Sequence, residues 1–337
     1  MQAIFFNKAD DICKIQETQI SEPGKNEVLI KIKAAALNRR DFWIKKGIYQ
    51  GAKFPCIIGS DGAGIVEKAG RNVSKDWINK AVIINPGLNW GDDPDSHGPD
   101  FHILGLPTQG TFAQYVCVPA DSIWHKPDTW TFEKAAALPL AALTAFRALF
   151  TRGKLRKGQK VFITGAGGGV AVFLIQFAIA AGAKVFVSSS SEKKIKKATI
   201  LGAEGGVFYN QPGWEAELEK IAEGKFDLII DSAAGENFEK FPGLLKTGGK
   251  IVNFGGTAGK IPEMTAAKIF WKQASILGTT MGSPEDFKNM LDFVKKHNIE
   301  PVIDKIFPMV DAELAFKQME NHEQFGKIVI KLTDGYS

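Results

Sequence analysis

A cluster of glycines lies where an apolar strand gives way to a helix, a placement suited to binding phosphate. Val161–Thr164 runs directly into Gly165–Ala171, which reads Gly-Ala-Gly-Gly-Gly-Val-Ala, and a helical pattern covers Val170–Ala181. Glycines let the backbone approach a pyrophosphate closely, and the free N–H groups of a helix N-terminus attract anions. The strict GxGxxG spacing is not met, and glycines also mark ordinary turns. The strand before and the helix after nevertheless favour a dinucleotide site.

The end of the next strand bears on which dinucleotide binds. NAD sites usually place an acidic residue there to hydrogen-bond the ribose 2′-hydroxyl. This chain instead has Ser188–Ser191 followed by Lys193 and Lys194, and Glu192 comes later, on a helix. Hydroxyl donors and an ammonium suit a 2′-phosphate, although the serines could also form an N-cap and a loop. The pattern favours NADPH over NADH as the cofactor.

The elements before residue 125 predict a β-rich domain. Val28–Lys33 alternates apolar and charged residues, as a half-buried strand does, and Gly64–Lys68 and Lys80–Ile84 resemble further short strands. Many short strands separated by turn residues are typical of a barrel-like β domain.

After Pro127 the pattern changes to helices that alternate with apolar strands. Such alternation predicts a doubly wound α/β domain with a parallel sheet. The last strand pattern, Lys327–Lys331, alternates like the early ones, so we expect it to return to the first domain. The predicted domains are residues 1–124 with 283–337, and residues 125–282. The predicted elements of the second are helices at Thr131–Phe150 and Glu192–Leu201 and strands at Lys184–Ser188, Phe226–Asp231 and Lys250–Phe254.

Composition restricts the classes of function. A net charge of +5, from 42 basic and 37 acidic residues, is too small and dispersed to indicate a nucleic-acid partner. Three cysteines in no CxxC pair argue against a disulfide scaffold and fit a reducing compartment. The sequence shows no signal peptide and no long apolar run. We therefore expect a cytoplasmic protein that acts on a small molecule, without a membrane partner.

Several short segments occur in one order along the chain and together resemble the medium-chain dehydrogenase/reductase superfamily, most closely its zinc-free, quinone-oxidoreductase-like branch. Gly59–Glu67 is similar to the family's G-H-E-x-x-G-x-V, and Gly110–Val116 to its G-x-F-A-E-Y-V. The resemblance implies an α/β protein with a GroES-like catalytic domain and a Rossmann NADP-binding domain, assembled as a homodimer or homotetramer. The other similar segments are Leu138–Leu149, Asp231–Gly235, Phe254–Thr257 and Leu277–Gly282.

The resemblance also shows where this chain departs from its zinc-dependent relatives. The positions that hold their catalytic zinc are Asn38, Ser60 and Leu140 here, which supply neither a thiolate nor an imidazole. The segment aligned with their structural zinc lobe, Trp90–Leu104, contains no cysteine. We therefore expect no bound metal. One alternative is an acidic and histidine-containing tract, although its Gly and Pro content favours a solvated loop; its residues are Asp92, Asp93, Asp95, His97, Asp100 and His102.

The resemblance implies a set of site residues. Asn38, Trp43 and Tyr49 match substrate-cleft positions, with Tyr49 or Asn38 as hydrogen-bond donor and Trp43 as an apolar wall, although Asn38 and Tyr49 could also serve only as turn residues. Arg40 matches a proton-relay position, but an arginine holds its proton, so we expect it to have no catalytic role. The implied cofactor contacts are Thr144, Gly167, Gly168, Gly169, Val170, Ser189, Ser190, Lys194, Tyr209, Ser232, Phe254, Gly255, Gly256, Thr280 and Met281.

Three functions remain compatible with the sequence. The first is an NADPH-dependent, zinc-independent reductase that transfers hydride to a quinone or a conjugated enone. The second is a related enzyme acting on an enoyl thioester or, as a zinc-free alcohol/ketone dehydrogenase, on a simple ketone. The third is a non-enzymatic protein that binds or senses NADPH.

Overall fold

The computed structural model describes residues 1–332, and the chain divides into two units. The first comprises Met1–Ala141, Ser283–Lys288 and the residues from Glu300 onward, and the second comprises Ala142–Gly282 and Asn289–Ile299. The division therefore falls after Ala141 rather than after residue 124. The reason is that the short helix at Phe132–Ala136 packs against strands of the first unit.

The described residues form the following elements in chain order. The strands are β1 (Gln2–Phe5), β2 (Lys14–Glu17), β3 (Glu27–Ala36), β4 (Asp61–Ala69), β5 (Ala81–Ile84), β6 (Gly87–Leu88), β7 (His102–Ile103), β8 (Tyr115–Pro119), β9 (Ile123–His125), β10 (Lys160–Ile163), β11 (Lys184–Ser189), β12 (Gly205–Phe208), β13 (Phe226–Asp231), β14 (Leu245–Asn253), β15 (Ser275–Gly278), β16 (Ile303–Pro308) and β17 (Lys327–Lys331). The α-helices are α1 (Arg39–Lys45), α2 (Phe132–Ala136), α3 (Pro139–Phe146), α4 (Gly169–Ala180), α5 (Glu192–Ile200), α6 (Trp214–Ile221), α7 (Phe241–Leu244), α8 (Ala267–Phe270), α9 (Pro284–His297) and α10 (Ala312–Glu320).

The first unit is built on a mainly antiparallel sheet in the order β16-β17-β3-β4-β5-β9, with β8 also paired to β3. Its early strands confirm the predicted short β elements. The last strand differs from the prediction: residues 327–330 are all buried, so β17 does not alternate between core and solvent. It lies inside the sheet between β16 and β3, and the buried Lys327 has a buried carboxylate partner described below.

The second unit contains a parallel sheet in the order β12-β11-β10-β13-β14-β15. This is the doubly wound arrangement, and the strand order reverses between β10 and β13. Val161, Phe162 and Ile163 of β10 are fully buried, as expected for a strand covered on both faces. The predicted α/β domain is therefore confirmed.

The predicted single helix over Thr131–Phe150 is wrong. The chain forms α2, breaks at Ala137 and Leu138, and resumes as α3, which continues into a π-helical segment at Arg147–Arg152. The break comes directly before Pro139, because proline lacks an N–H and disfavours a helical conformation in the preceding residue. None of the helices in residues 1–332 combines the length and hydropathy needed to cross a bilayer.

Candidate cofactor and substrate sites

The glycine turn lies between β10 and α4, at the carboxyl end of the parallel sheet. Gly165 has a φ of 73°, in the left-handed region that favours glycine, and Gly168 is the extended N-cap of α4. A Cβ built at Gly168 would approach no atom closer than the Gly165 oxygen, 3.9 Å away, so the space over the turn is open. Gly169 and Val170 begin α4, whose first N–H groups can bind a pyrophosphate.

A buried carboxylate joins the carboxyl ends of three neighbouring strands beside this turn. Asp231 Oδ1 accepts the Thr164 hydroxyl at 2.9 Å, and its Oδ2 accepts Ala234 N at 2.8 Å and Asn253 Nδ2 at 2.7 Å. The Ser232 backbone N–H donates to Thr164 Oγ1 at 3.0 Å. Sequence reasoning missed this role of Asp231, although a carboxylate at the end of an otherwise apolar strand was a signal for it.

The loop after β14 passes close to the end of β13. A Cβ at Gly255 would lie 2.4 Å from the Ser232 carbonyl oxygen, so only glycine fits there. Phe254 donates its N–H to Asp231 O at 3.0 Å and is half-buried rather than a core residue, while Gly256 is exposed. The structure thus brings Ser232, Phe254 and Gly255 together; their contact with a cofactor stays a prediction.

Three other predicted cofactor residues, Thr144, Thr280 and Met281, differ in how far they are buried. Thr280 is exposed after β15, but Met281 is buried with a φ of 46°. The Met281 side chain therefore belongs to the core, and only its backbone remains available to a ligand. Thr144 is buried within α3.

The end of β11 carries the residues predicted to select the cofactor. Ser189 is buried, and its hydroxyl accepts the Ser191 N–H at 3.2 Å, whereas Ser190 is exposed. Ser191 is the N-cap of α5 but makes no side-chain capping bond. Lys194 is half-buried in the first turn of α5, and Tyr209 reaches the strand end through its N–H, 3.3 Å from Ser189 O.

In the first unit, the positions aligned with zinc ligands take part in a buried hydrogen-bond network. Lys327 Nζ lies 2.6 Å from Asn38 Oδ1 and 2.8 Å from Asp61 Oδ2. Asn38 Nδ2 donates to Asp61 Oδ2 at 2.9 Å, and Leu140 N donates to Asp61 Oδ1 at 2.8 Å. One amide proton of Asn38 is therefore engaged by the protein. Sequence reasoning missed Lys327 and Asp61.

The third zinc-aligned position, Ser60, is held by Arg40. The guanidinium Nη1 donates to Ser60 Oγ at 2.6 Å and to Leu104 O at 3.0 Å, and the Ser60 hydroxyl donates to the same carbonyl at 2.8 Å. The Arg40 guanidinium lies over the Tyr49 ring, 5.1 Å from its centre. Tyr49 N donates to Trp43 O at 3.2 Å, so these two predicted cleft residues are neighbours.

Asp41, the carboxylate nearest to Arg40, belongs to the first turn of α1. Its Oδ2 accepts the Asn38 N–H at 2.8 Å, which helps to cap the helix. Burial raises the pKa of Asp41 to about 6, although the charge of Arg40 and the Asn38 hydrogen bond oppose that increase.

These residues do not fit a catalytic zinc. Zinc is held by deprotonated sulfur, imidazole nitrogen or carboxylate oxygen, whereas Asn38, Ser60 and Leu140 offer an amide, a hydroxyl and an alkyl chain. The Asn38 amide oxygen and the Ser60 hydroxyl each already accept a hydrogen bond from a cationic side chain. A dication at this place would be repelled by both Lys327 and Arg40.

The acidic and histidine-containing tract has a different organisation. Asp93 accepts the Asp95 N–H at 2.8 Å and the Ser96 hydroxyl at 2.7 Å, and its backbone carbonyl accepts Trp90 Nε1. Within residues 1–332, no group of three or more His, Cys, Asp and Glu side chains is placed to hold a metal ion. The tract therefore forms a hydrogen-bonded loop.

Comparisons with known proteins agree with the two units. The model of the alcohol dehydrogenase GroES-like domain matches residues 24–128, and that of the zinc-binding dehydrogenase matches residues 169–296. A zinc-type alcohol dehydrogenase-like protein of Leptosphaeria maculans is 35% identical, over 92% of each chain. The quinone oxidoreductase of Mus musculus is 28% identical, over 96% of this chain and 94% of its own. The crystal structure of an NAD-dependent alcohol dehydrogenase has a TM-score of 0.92 and 32% identity, over 99% of this chain and 100% of its own.

Proposed function

Because the chain belongs to the medium-chain dehydrogenase/reductase superfamily and is a nicotinamide-dependent oxidoreductase, we propose that it is an NADPH-dependent reductase that works without catalytic zinc. Its proposed substrates are quinones or conjugated enones. The observation that carries the proposal is the network around Asn38, Ser60 and Leu140, the residues aligned with the zinc ligands of zinc-dependent relatives. In this network Lys327 hydrogen-bonds to Asn38, and Arg40 hydrogen-bonds to Ser60.

The choice of substrate follows from the chemistry that zinc would otherwise perform. Zinc polarises a carbonyl and lowers the pKa of a bound alcohol. Simple ketones and alcohols depend most on that assistance, whereas quinones and conjugated enones are already electrophilic. The similarity to a quinone oxidoreductase supports the same substrate class. A chain without the metal is therefore best suited to an activated acceptor.

The second unit supplies residues that fit the cofactor. The α4 N-terminus with Gly167–Val170 would hold the pyrophosphate, and Ser232, Phe254 and Gly255 would lie toward the nicotinamide. The bound cofactor supplies a hydride. Its placement depends on Asp231, which fixes the strand ends that carry these residues.

NADPH is proposed rather than NADH because of the residues at the end of β11. Exposed Ser190 and half-buried Lys194 can bind a 2′-phosphate, and no carboxylate ends the strand to take a 2′-hydroxyl. The similar crystal structure is named as NAD-dependent, so both cofactors belong in every assay.

We also propose a homodimer built at the β15 edge of the parallel sheet. β15 pairs only with β14 in this sheet of the described chain, and Phe270, Trp271 and Ile276 near it are exposed. An open strand edge with apolar neighbours is suited to pairing with a second copy. Trp271→Glu should convert the dimer to a monomer in sedimentation velocity, while Ile200→Glu, on exposed α5, should not. A monomeric native protein would contradict the assignment.

The function is tested by NADPH consumption with a panel of quinones, enones, an enoyl thioester and simple ketones. Turnover of quinones or enones well above that of simple ketones is expected. Turnover only with the enoyl thioester would contradict the quinone or enone assignment and identify an enoyl-thioester reductase. Tight NADPH binding without turnover of any acceptor would contradict an enzymatic role and support a sensing protein.

A further inference from the structure

Arg40 is a buried cation whose hydrogen-bonding capacity is only partly used. Its side chain is 8% exposed. The guanidinium donates hydrogen bonds from Nη1 to Ser60 Oγ and to Leu104 O. Within the described part of the chain, the buried Nε has no hydrogen-bond partner. A buried charge with an unused donor is costly to a folded protein. This free-energy cost indicates that Arg40 is buried here for a functional reason.

The nearest carboxylate does not satisfy this guanidinium. Asp41 Oδ1 lies 3.8 Å from Arg40 Nη1, beyond hydrogen-bond distance, and that oxygen also has no hydrogen-bond partner among residues 1–332. The other nearby carboxylate, Asp61, accepts from Lys327, Asn38 and Leu140. Neither carboxylate accepts a hydrogen bond from Arg40.

The other polar groups of the network are engaged. The Ser60 hydroxyl donates its proton to Leu104 O, and Lys327 is held between Asn38 and Asp61. Arg40 therefore combines a permanent positive charge with an unsatisfied N–H, and the Tyr49 ring covers one of its faces. These are the properties needed to stabilise an oxyanion.

We propose that Arg40 is the electrophilic residue of the substrate site, binding the substrate carbonyl oxygen through its charge and its unpartnered Nε–H. The assignment rests on the proposed function and narrows it to acceptors whose reduction produces a stabilised oxyanion, a phenolate or an enolate. The sequence had led us to expect no role for Arg40, because an arginine does not give up its proton. A fixed hydrogen-bond donor and charge needs no proton transfer.

The reaction balances without a proton from Arg40. A hydride supplied by bound reduced nicotinamide would form a C–H bond or, on a quinone oxygen, an O–H bond. The conjugated π bonds shift by one place, and their electron pair ends on the substrate carbonyl oxygen. Arg40 holds the resulting oxyanion by hydrogen bonds. Water then protonates the oxygen, or the carbon of an enolate, and the cofactor leaves oxidised.

The direct test uses 4-nitrophenol, an analogue of a quinol product whose ionised form absorbs visible light. It is titrated with pH in the presence of the protein and saturating NADP⁺ or, in parallel, NAD⁺. A guanidinium in contact with the phenol oxygen should lower the pKa of the bound phenol by about 1 to 3. If the wild-type protein leaves the pKa of the phenol unchanged, the proposal is overturned.

Three variants assign that effect to Arg40. Arg40→Met should abolish the decrease in the phenol pKa, and Arg40→Lys should retain part of it, since an ammonium keeps the charge but lacks the fork of donors. Arg71→Met removes an exposed arginine on the turn after β4 and should behave as wild type. Circular dichroism establishes that each variant is folded. An Arg40→Met protein that still lowers the phenol pKa contradicts the proposal.

Kinetics separate this proposal from the proposed function. Arg40→Met should lower kcat for a quinone by about 10²–10³-fold, as loss of one oxyanion donor does, with an unchanged dissociation constant for NADPH. Equal kcat in both proteins would refute the role of Arg40 and leave the reductase intact. A wild-type protein that lowers the phenol pKa but turns over no acceptor would refute the reductase and leave the anion site intact.

Discussion

Lys327 and Asp61 form an ion pair that is almost completely removed from solvent. Their side chains are 3% and 0% exposed, and Nζ lies 2.8 Å from Oδ2. Buried pairs add little net stability compared with apolar residues of similar size, but loss of one partner leaves an uncompensated charge. The pair therefore holds Asn38 in place rather than strengthening the fold.

Lys327→Met should reduce the free energy of unfolding by about 3–5 kcal/mol, measured by urea denaturation. The double variant Lys327→Met/Asp61→Leu should recover much of that loss, because neither charge remains buried alone. Lys331→Met is the matched control, since Lys331 is 53% exposed and 3.5 Å from Glu133; its effect should stay below about 1 kcal/mol. A double variant as unstable as the single one would be inconsistent with this interpretation.

The choice between NADPH and NADH depends on single side chains at the end of β11. Lys194→Ala should weaken NADPH binding by about tenfold, the effect of losing one charge-assisted hydrogen bond, with little change for NADH. Nicotinamide fluorescence gives both dissociation constants. Lys196→Ala, an exposed lysine of the same helix, serves as the control. Equal losses for the two cofactors would rule out a 2′-phosphate contact by Lys194.

At the scale of elements, α1 and the residue just before it carry most of the residues of the proposed substrate site. Asn38 precedes the helix, Arg40 and Asp41 lie in its first turn, and Trp43 follows one turn later. Asp41 has a raised pKa because it is buried. The start of α1 therefore couples helix stability to the protonation of one carboxyl group.

The stability of the wild type relative to Asp41→Asn should depend on pH. The folded-state pKa of Asp41, about 6, exceeds its ordinary value of 3.8, so the folded state takes up a proton before the unfolded state does as pH falls. Wild type should therefore gain stability relative to Asp41→Asn as pH falls from above 6 to 3.8. Urea denaturation at several pH values measures the difference. If the wild type instead loses stability relative to Asp41→Asn as pH falls over this range, the folded protein stabilises the ionised form of Asp41 and the prediction is wrong.

Local patterns in the sequence predicted the elements well and long-range contacts poorly. The glycine turn and the apolar strands could be identified because strand, turn and helix signals are adjacent in the chain. The break before Pro139 was missed because the flanking Ala/Leu pattern continues across it. Lys327 pairs with Asp61 across 266 positions of sequence, and Arg40 with Leu104 across 64. No local pattern encodes such partners.

At the scale of the molecule, the two units contribute different residues to one oxidoreductase. The second provides a doubly wound sheet whose strand ends are joined by Asp231, and the first provides a network of cations where relatives hold zinc. A metal centre and the Arg40 guanidinium would each place positive charge near a developing oxyanion.

The most direct test of this account measures metal content and activity together. The purified protein is analysed by elemental mass spectrometry, then assayed for NADPH-dependent quinone reduction before and after prolonged dialysis against a strong chelator. We expect less than about one-tenth of a zinc per chain and an unchanged kcat, because Lys327 and Arg40 already serve the site and repel a dication. One zinc per chain, with activity lost to the chelator and restored by zinc, would contradict the metal-free mechanism.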